Sequence, residues 1–276
     1  MKHKKFEEVK KLVGAKQPVL LTGERGSGKT SLLKQVADSL ELKFFSMSMT
    51  RQTTLSHLLG FRNVDGVYMP SPIRDAAEQG GVVVLDEIDA SDVNVLLCFN
   101  TVDNGYIAFP DGVVYLHKDF VLCATSNPQN NHKEYNGRSK LDAATLDRFD
   151  IINVERDENL EKSLISFSTF QHIDIVRKSL ESNGSSKYIS MRDALRYEKR
   201  KELGLLENYV EKLFGDNELA LAQYKNEIKK LPSGSNLDEC ETVEDLWLFI
   251  DNYDFSQEKK EISTMSDLQL PKQKSN

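Results

Sequence analysis

The sequence predicts an α/β protein built on a doubly wound parallel sheet and followed by a smaller all-α domain. Short apolar runs typical of buried strands alternate with helical patterns up to about residue 155. The run "VVVLDEID" (82–89) is continuously apolar and β-branched at its start, as in a strand covered on both faces. Beyond Arg156 the strand patterns fade and only helical ones follow. Strands that alternate with helices indicate a parallel sheet between two helical layers.

The elements of the first half follow one another in a regular order. Strands are predicted at 18–23, 42–49, 82–89, 119–127 and 150–155. Between them, helical spacing predicts helices at 29–40, 53–60, 71–81, 91–103 and 140–149. Two segments are predicted as hairpins, "FRNVDGVYM" (61–69), which turns at Asp65-Gly66, and "GYIAFPDGVVYL" (105–116), which turns at Pro-Asp-Gly.

This order predicts three parts of the chain. Residues 1–155 are predicted as an α/β core with the hairpins near 61–69 and 105–116 as inserts, and residues 156–231 as a smaller α-helical domain. Residues 232–276 are predicted as a linker, a short helix over "VEDLWLFIDNY" and a polar tail that we expect to be disordered.

Composition excludes several classes of protein. The 276 residues are 39% hydrophobic and 29% charged, which is ordinary for a globular protein, and no apolar run approaches a membrane span. The net charge of -7 disfavours whole-surface attraction to nucleic acid. Cys98, Cys123 and Cys240 lack metal-ligand spacing, and the basic N-terminus lacks a leader pattern. We therefore expect a cytoplasmic protein with no membrane partner.

The segment "GERGSGKT" (23–30) matches the phosphate-loop pattern G-x-x-x-x-G-K-[ST]. Its glycines allow backbone N–H groups to surround phosphate oxygens, and the helix that follows turns its positive end toward them. Lys29 would reach the terminal phosphates, and the Thr30 hydroxyl would bind Mg²⁺. A chance glycine-rich turn is disfavoured because the match lies between a predicted strand and a predicted helix. The predicted nucleotide-binding residues of this loop and of the helix start after it are Gly23, Glu24, Arg25, Gly26, Ser27, Gly28, Lys29, Thr30 and Ser31.

The acidic end of "VVVLDEID" predicts the hydrolytic groups. Residues that leave the carboxyl end of a parallel strand reach the ligand edge of the sheet. Asp86 would complete the Mg²⁺ shell with Thr30, and Glu87 would orient and deprotonate an attacking water. The alternative is a solvated acidic loop, which the upstream phosphate loop disfavours.

Three further polar residues are weaker candidates. Asn127, at the end of "VLCATSNP", could hydrogen-bond the attacking water or the γ-phosphate, although it could equally form a turn. Arg148, at the end of a predicted helix, could stabilise γ-phosphate charge in a neighbouring subunit, or form a surface ion pair with Asp147 or Asp150. Arg192, in the first turn of a helix, suggests an anionic partner.

Taken in order, these motifs resemble those of an AAA+ ATPase. The phosphate loop, "VVVLDEID", "CATSNP", "LDRFD" and "SMRDAL" are similar to Walker A, Walker B, sensor 1, the arginine finger and sensor 2. The likeness covers residues 15–205 and points to the MoxR-type, dynein-related branch. "YNGRSKLDAATLDRF" resembles cobaltochelatase small-subunit-like ATPases in particular.

The resemblance implies an oligomeric ATP hydrolase that uses ATP and Mg²⁺. Lys29 and Glu87 would act with Thr30, Asp86 and Asn127 within one subunit. Arg148 would act in trans on the next subunit of a homo-oligomeric ring, with a hexamer expected, and Arg138 is a second candidate for that role. Arg192 would join from the lid. The implied function is remodelling of a protein client, or of an adaptor that carries a von Willebrand-type domain.

Other functions stay open at this stage. The chain could be the ATPase subunit of a metal chelatase, which would require partner subunits. It could also be a nucleic-acid-linked motor or defence component, for which Arg62 and Lys118 on the hairpins would contact a strand. A non-enzymatic, nucleotide-gated scaffold is disfavoured because Glu87 is present.

Overall fold

The computed structural model describes residues 2–127, 141, 143–206 and 209–229; Arg138, Cys240 and the helix predicted within 232–276 lie outside these ranges. The chain divides into two compact units. The first comprises Met1–Ser163 together with Ser190–Asp193, and the second comprises Leu164–Ile189 and the described residues from Ala194 onward. Within the described ranges, no helix combines the length and the apolar character needed to cross a membrane.

The first unit is built on a five-stranded parallel sheet, which confirms the predicted fold class. Its strands are β1 (Val19–Thr22), β2 (Phe44–Ser48), β5 (Gly81–Asp86), β8 (Phe120–Ser126) and β9 (Asp150–Asn153), in the spatial order β2-β5-β8-β1-β9. Because all neighbouring strands are parallel, β1, β5 and β8 end at the same edge of the sheet. The strand order reverses beside β1, and such an edge is where open α/β sheets bind ligands.

Both faces of the sheet are covered, as the apolar strand sequences predict. Alternate residues of β1 point to opposite sides: Val19 and Leu21 pack with helices α1 (Phe6–Gly14) and α2 (Lys29–Ser39), while Leu20 belongs to the core on the other face. That second core includes helices α3 (Leu55–Leu59) and α4 (Pro72–Gln79). The first half therefore has three layers.

Two antiparallel hairpins extend from the sheet of the first unit. One pairs β3 (Phe61–Arg62) with β4 (Tyr68–Met69), and the other pairs β6 (Tyr106–Phe109) with β7 (Gly112–Tyr115). Arg74 of α4 joins them, since its guanidinium donates to Asp111 at 2.6 Å and to Glu78 at 2.7 Å and lies over the Tyr68 and Phe109 rings. Arg62 Nε also donates to the Pro110 carbonyl at 3.3 Å. The two hairpins are thus fastened to each other and to α4.

Two predicted helices are shorter than the sequence indicated. Over 91–103 the helix α5 covers only Val93–Leu96 and is followed by 3₁₀ turns at Leu97–Phe99 and Val102–Asn104. Asn, Asp and Thr residues in this stretch compete with helical hydrogen bonds through their own side chains. Over 140–149 the helix α6 covers Ala143–Leu146, and a turn at 147–148 leads directly into β9.

The second unit is helical. Its principal helices are α8 (Phe167–Ser182), α9 (Met191–Glu202), α10 (Tyr209–Phe214) and α11 (Glu218–Lys229), preceded by α7 (Glu158–Leu164) at the junction of the units. The long helical pattern after Arg156 breaks between α7 and α8, where Ser166 caps α8 by accepting a hydrogen bond from the Thr169 N–H. Aromatic and aliphatic side chains of these helices form a separate core.

A buried histidine makes the second unit sensitive to acid. The His172 ring is 2% exposed, stacks on Tyr197 with centroids 5.7 Å apart and lies 3.4 Å from the Tyr224 hydroxyl. Burial, with a smaller contribution from Lys201, lowers the pKa of His172 to about 3. The unfolded chain, with an ordinary histidine pKa near 6.5, therefore takes up this proton more readily than the folded chain.

We expect acid to unfold this unit earlier in the wild type than in a His172→Phe variant. The contribution of neutral His172 is complete above pH 6.5 and is lost as the pH falls toward 3, by about 1.4 kcal/mol per pH unit. Urea unfolding followed at pH 7, 6 and 5 measures the free energy of unfolding of both proteins. Equal pH dependence in the two would contradict this prediction.

Candidate active site

The phosphate loop connects β1 to α2 with its backbone open toward the sheet edge. Gly26 and Gly28 have φ of 78° and 91°, a conformation that side chains rarely adopt. A Cβ on Gly26 would also come within 2.7 Å of the Ser190 side chain. Gly28 is the N-cap of α2, so the first N–H groups of the helix have no intrahelical acceptor. This is the geometry of an anion site at a helix N-terminus.

Lys29 is buried at the centre of the site, with its side chain folded back over the loop. Its Nζ donates to the carbonyls of Gly23 at 2.7 Å and Glu24 at 3.0 Å, and to Asn127 Oδ1 at 3.0 Å. Burial lowers the pKa of Lys29 to about 8, and this outweighs the raising effect of nearby carboxylates, Asp86 foremost. A bound polyphosphate would supply negative charge where this ammonium is least solvated.

Thr30 and Asp86 are joined directly. The Thr30 hydroxyl donates to Asp86 Oδ1 at 2.7 Å, although the two residues are 56 positions apart in the chain. A hydroxyl and a carboxylate are hard oxygen donors of the kind that Mg²⁺ takes alongside phosphate oxygens and water. The residues present therefore fit a magnesium site, and Thr30 and Asp86 would hold the ion.

Glu87 and Asn127 face each other beside this pair. Asn127 Nδ2 lies 3.5 Å from Glu87 Oε1, and its amide oxygen accepts from Lys29. One amide therefore connects the phosphate-binding lysine to the predicted general base. Glu87 itself lies one residue beyond β5, in a left-handed conformation with φ of 57°. The strand predicted over 82–89 ends at Asp86 because of this turn.

The remaining predicted loop residues border the same pocket or support it. Arg25 and Ser31 line it together with Gly26, Gly28, Lys29 and Thr30. The backbone carbonyl of Glu24 accepts a hydrogen bond from the Ser27 N–H at 3.2 Å, and this bond forms a turn within the loop. The Ser27 hydroxyl is buried beneath the loop and has no hydrogen-bond partner among the described residues.

Arg192 also reaches this pocket. It is the second residue of α9, and residues 190–193 cluster with the first unit rather than with the other helices. Its side chain is exposed and lines the pocket with Lys29, Asp86 and Asn127. Arg192 is thus positioned to contact an anion in this pocket, and that role stays a prediction.

Arg148 lies outside the pocket, in the turn after α6. Its Nε is 3.3 Å from Asp103 Oδ2, and its side chain is 20% exposed. The ion-pair partner is thus Asp103, from the 3₁₀ turn at Val102–Asn104, and not the sequence neighbours Asp147 or Asp150 that the sequence suggested. Arg138, the other candidate for action in trans, lies outside the described residues.

The sequence analysis missed Thr125, which lines the pocket two residues before Asn127. Its hydroxyl donates to Asp86 Oδ1 at 2.6 Å and accepts the Glu87 N–H at 2.9 Å. The sequence feature that could have identified Thr125 is a hydroxyl residue near the carboxyl end of a mostly apolar buried strand, "FVLCATS".

Comparison with known families gives one match. The AAA domain of the dynein-related subfamily matches residues 18–149, which run from the start of β1 to the turn before β9. This range contains the phosphate loop, both acidic residues, Asn127 and Arg148. Arg192 lies beyond it.

Similar proteins include two midasins. The chain is 31% identical to midasin of Giardia intestinalis over 176 residues (60% of this chain) and 30% identical to midasin of Dictyostelium discoideum over 223 residues (70% of this chain). It spans only 4% of the length of each. It is also 29% identical over 128 residues to von Willebrand factor A domain-containing protein 8 of Mus musculus, covering 40% of this chain and 7% of that protein.

Proposed function

Because this chain belongs to the dynein-related, MoxR-type branch of the AAA+ ATPases, we propose that it hydrolyses ATP with Mg²⁺ as an oligomeric ring that remodels a protein client. One observation carries the catalytic part of this proposal. Lys29, Thr30, Asp86, Glu87 and Asn127 come from three different segments and, with Thr125 linking Asp86 to Glu87, form one hydrogen-bonded group at the carboxyl edge of the sheet.

The phosphate loop and Lys29 bind the triphosphate. Backbone N–H groups at the start of α2 receive the phosphate oxygens, and the Lys29 ammonium turns from the Gly23 and Glu24 carbonyls toward the terminal phosphates. Thr30 and Asp86 would hold the Mg²⁺, which would supply positive charge to the phosphate oxygens. These contacts position the γ-phosphate at the sheet edge.

Glu87 and Asn127 prepare the attacking water. The Glu87 carboxylate accepts a proton from this water, and Asn127 Nδ2, which faces that carboxylate at 3.5 Å, holds the water in place. Asn127 Oδ1 accepts from Lys29 at the same time, so its amide orientation is fixed. A movement of the phosphate-bound lysine is therefore transmitted to the water-binding pair. Arg192 adds positive charge at the same pocket.

A ring supplies the last catalytic group. Arg148 lies outside its own pocket, so the γ-phosphate charge that we propose it stabilises belongs to a neighbouring subunit, as with arginine fingers. Arg138 remains the second candidate for this role. A hexamer is the ring size we propose, on the family likeness alone.

The two hairpins, which Arg74 joins to each other, are the surface that we propose contacts a client. Likeness to a von Willebrand factor A domain-containing protein favours a client or adaptor that carries such a domain. The alternatives are a metal chelatase subunit and a nucleic-acid-linked motor. DNA-stimulated ATP turnover would favour the motor, and turnover stimulated only by a chelatase partner would favour the chelatase.

Assembly and turnover measured together test this function. With ATP and Mg²⁺ the purified chain should release phosphate and sediment as an assembly of several copies, whereas without nucleotide the assembly should weaken. Specific activity should rise with protein concentration, because each site needs a neighbour. Full turnover by a monomer would contradict the ring. Affinity capture with a Glu87→Gln bait in ATP then identifies the client.

A further inference from the structure

Thr125 hydrogen-bonds both acidic residues of the site, Asp86 and Glu87. It lies in β8 beside the end of β5, since the register pairs Leu85 with Ala124 and so brings Asp86 level with Thr125. Its side chain is fully buried in a strand that is otherwise mostly apolar. A buried hydroxyl that is completely hydrogen-bonded fixes the groups to which it bonds.

Each of its two hydrogen bonds constrains a different group. Thr125 Oγ1 donates its proton to Asp86 Oδ1 at 2.6 Å, and the Thr30 hydroxyl donates to the same oxygen at 2.7 Å. With Oδ1 held by two donors, the carboxylate cannot rotate freely about its χ2 bond, and its other oxygen is left for a metal shell. The orientation of Asp86 is therefore set by Thr125 as well as by Thr30.

The second bond acts on the backbone of Glu87. Thr125 Oγ1 accepts the Glu87 N–H at 2.9 Å. Glu87 has φ of 57° and ψ of 49°, a left-handed conformation that residues other than glycine rarely adopt. The N–H bond ties this strained turn to β8. It thereby directs the Glu87 side chain toward Asn127, the next residue but one after Thr125.

We propose that Thr125 is a positioning residue that couples metal binding to water activation by holding Asp86 and Glu87 with a single hydroxyl. The inference rests on the proposed ATPase function. Loss of the hydroxyl releases one donor from Asp86 Oδ1 and leaves the Glu87 N–H without its acceptor. Both the metal dependence of nucleotide binding and the rate of turnover then change, while the phosphate loop is untouched.

Thr125→Val removes the hydroxyl and keeps the β-branched shape, and Thr125→Ser keeps the hydroxyl. Binding of a fluorescent ATP analogue is measured in a Glu87→Gln background at increasing Mg²⁺ and in excess EDTA. We expect Thr125→Val to raise the Mg²⁺ concentration for half-maximal enhancement about tenfold and to leave binding in EDTA unchanged. Thr125→Ser should match the parent. With Glu87 intact, Thr125→Val should lower kcat about 10- to 100-fold and change KM little.

A matched control separates positioning from general packing. Thr169→Val makes the same change at another fully buried threonine, in the second unit. It should alter thermal stability without altering the Mg²⁺ dependence. If Thr125→Val does not fold, Thr125→Ala provides the same loss of the hydroxyl with less crowding.

The outcomes are distinguishable. Mg²⁺ dependence and kcat that are unchanged in both hydroxyl-free variants would overturn the role of Thr125 and leave the ATPase proposal standing. Equal defects in Thr125→Ser and Thr125→Val would also overturn it, because the hydroxyl would then not be the group that matters. If the parent protein bound no nucleotide, both proposals would fail together.

Discussion

Replacing Glu87 by glutamine should abolish ATP turnover and leave ATP binding intact. The amide keeps the size of the side chain and its distance to Asn127, but it cannot accept a proton from the attacking water. Lys29 Nζ donates to Gly23, Glu24 and Asn127, so the substitution removes none of these acceptors from the proposed phosphate-binding lysine. We expect kcat to fall about 100- to 10,000-fold, measured as phosphate release, with the dissociation constant for ATP within a few-fold of the wild type.

The chain contains a closely matched control for this substitution. Glu41 has the same positive φ as Glu87, 57°, and lies exposed after α2. Glu41→Gln therefore repeats the change of chemistry and of backbone context away from the pocket, and should leave turnover unchanged. Retention of turnover in Glu87→Gln would show that another group deprotonates the water, and the assignment of the base would be wrong.

The sequence predicts the sheet and the phosphate loop well because both depend on local patterns. Buried parallel strands are continuous apolar runs, and the loop needs glycines at fixed spacing before a lysine. The placement of Asp86 at the sheet edge follows from the strand alone, because the sequence indicates the direction of the strand and the residue at which it ends. The Thr30–Asp86 pair, which we propose as the magnesium ligands, could therefore be anticipated although the two residues are 56 positions apart.

Other features depend on contacts that no local pattern encodes. The bonds of Thr125 to Asp86 and Glu87 arise from the register of β5 against β8, which hydrophobic periodicity does not determine. The left-handed turn at Glu87 is stabilised by that same contact. Arg148 forms an ion pair with Asp103, which lies 45 residues earlier in the chain, whereas the sequence could suggest only its acidic neighbours as partners.

Helix length was overestimated for a related reason. Apolar spacing over 91–103 predicts one helix. This spacing indicates only which residues are buried, and it does not show whether the backbone hydrogen bonds of a helix are made. Short polar side chains such as Asp92, which caps α5 by accepting the Asn94 N–H, offer the backbone alternative partners. The result is a short helix and two 3₁₀ turns, the second of which carries Asp103 to Arg148.

Arg148→Ala should leave ATP binding intact and lower turnover about 1,000-fold or more. The residue lies outside its own pocket, so its removal does not alter the contacts of the bound triphosphate within that subunit. Loss of an arginine finger removes positive charge that is needed chiefly in the transition state. Phosphate release and ATP binding measured on the same preparation give the two quantities.

The ion pair with Asp103 offers a test of the simpler explanation. If Arg148 serves only this partly exposed pair, then Asp103→Asn should be as damaging as Arg148→Ala, and both effects should be small, since such pairs contribute about 1 kcal/mol or less. If Arg148 acts in trans, Asp103→Asn keeps the guanidinium and should retain most of the turnover. Equal turnover in the two variants would therefore contradict the role of Arg148 as an arginine finger.

Mixing two inactive proteins decides whether Arg148 acts across an interface. A Glu87→Gln subunit keeps Arg148, and an Arg148→Ala subunit keeps Glu87. A site is therefore complete only where Arg148 of a Glu87→Gln subunit reaches the pocket of an Arg148→Ala subunit. Random mixing of equal amounts places this arrangement at roughly a quarter of the interfaces. Turnover should therefore return to a measurable fraction of the wild type, far above either variant alone. Absence of any recovery in mixed assemblies would exclude Arg148 as the group acting in trans, because a residue that works within its own subunit cannot be supplied by a neighbour.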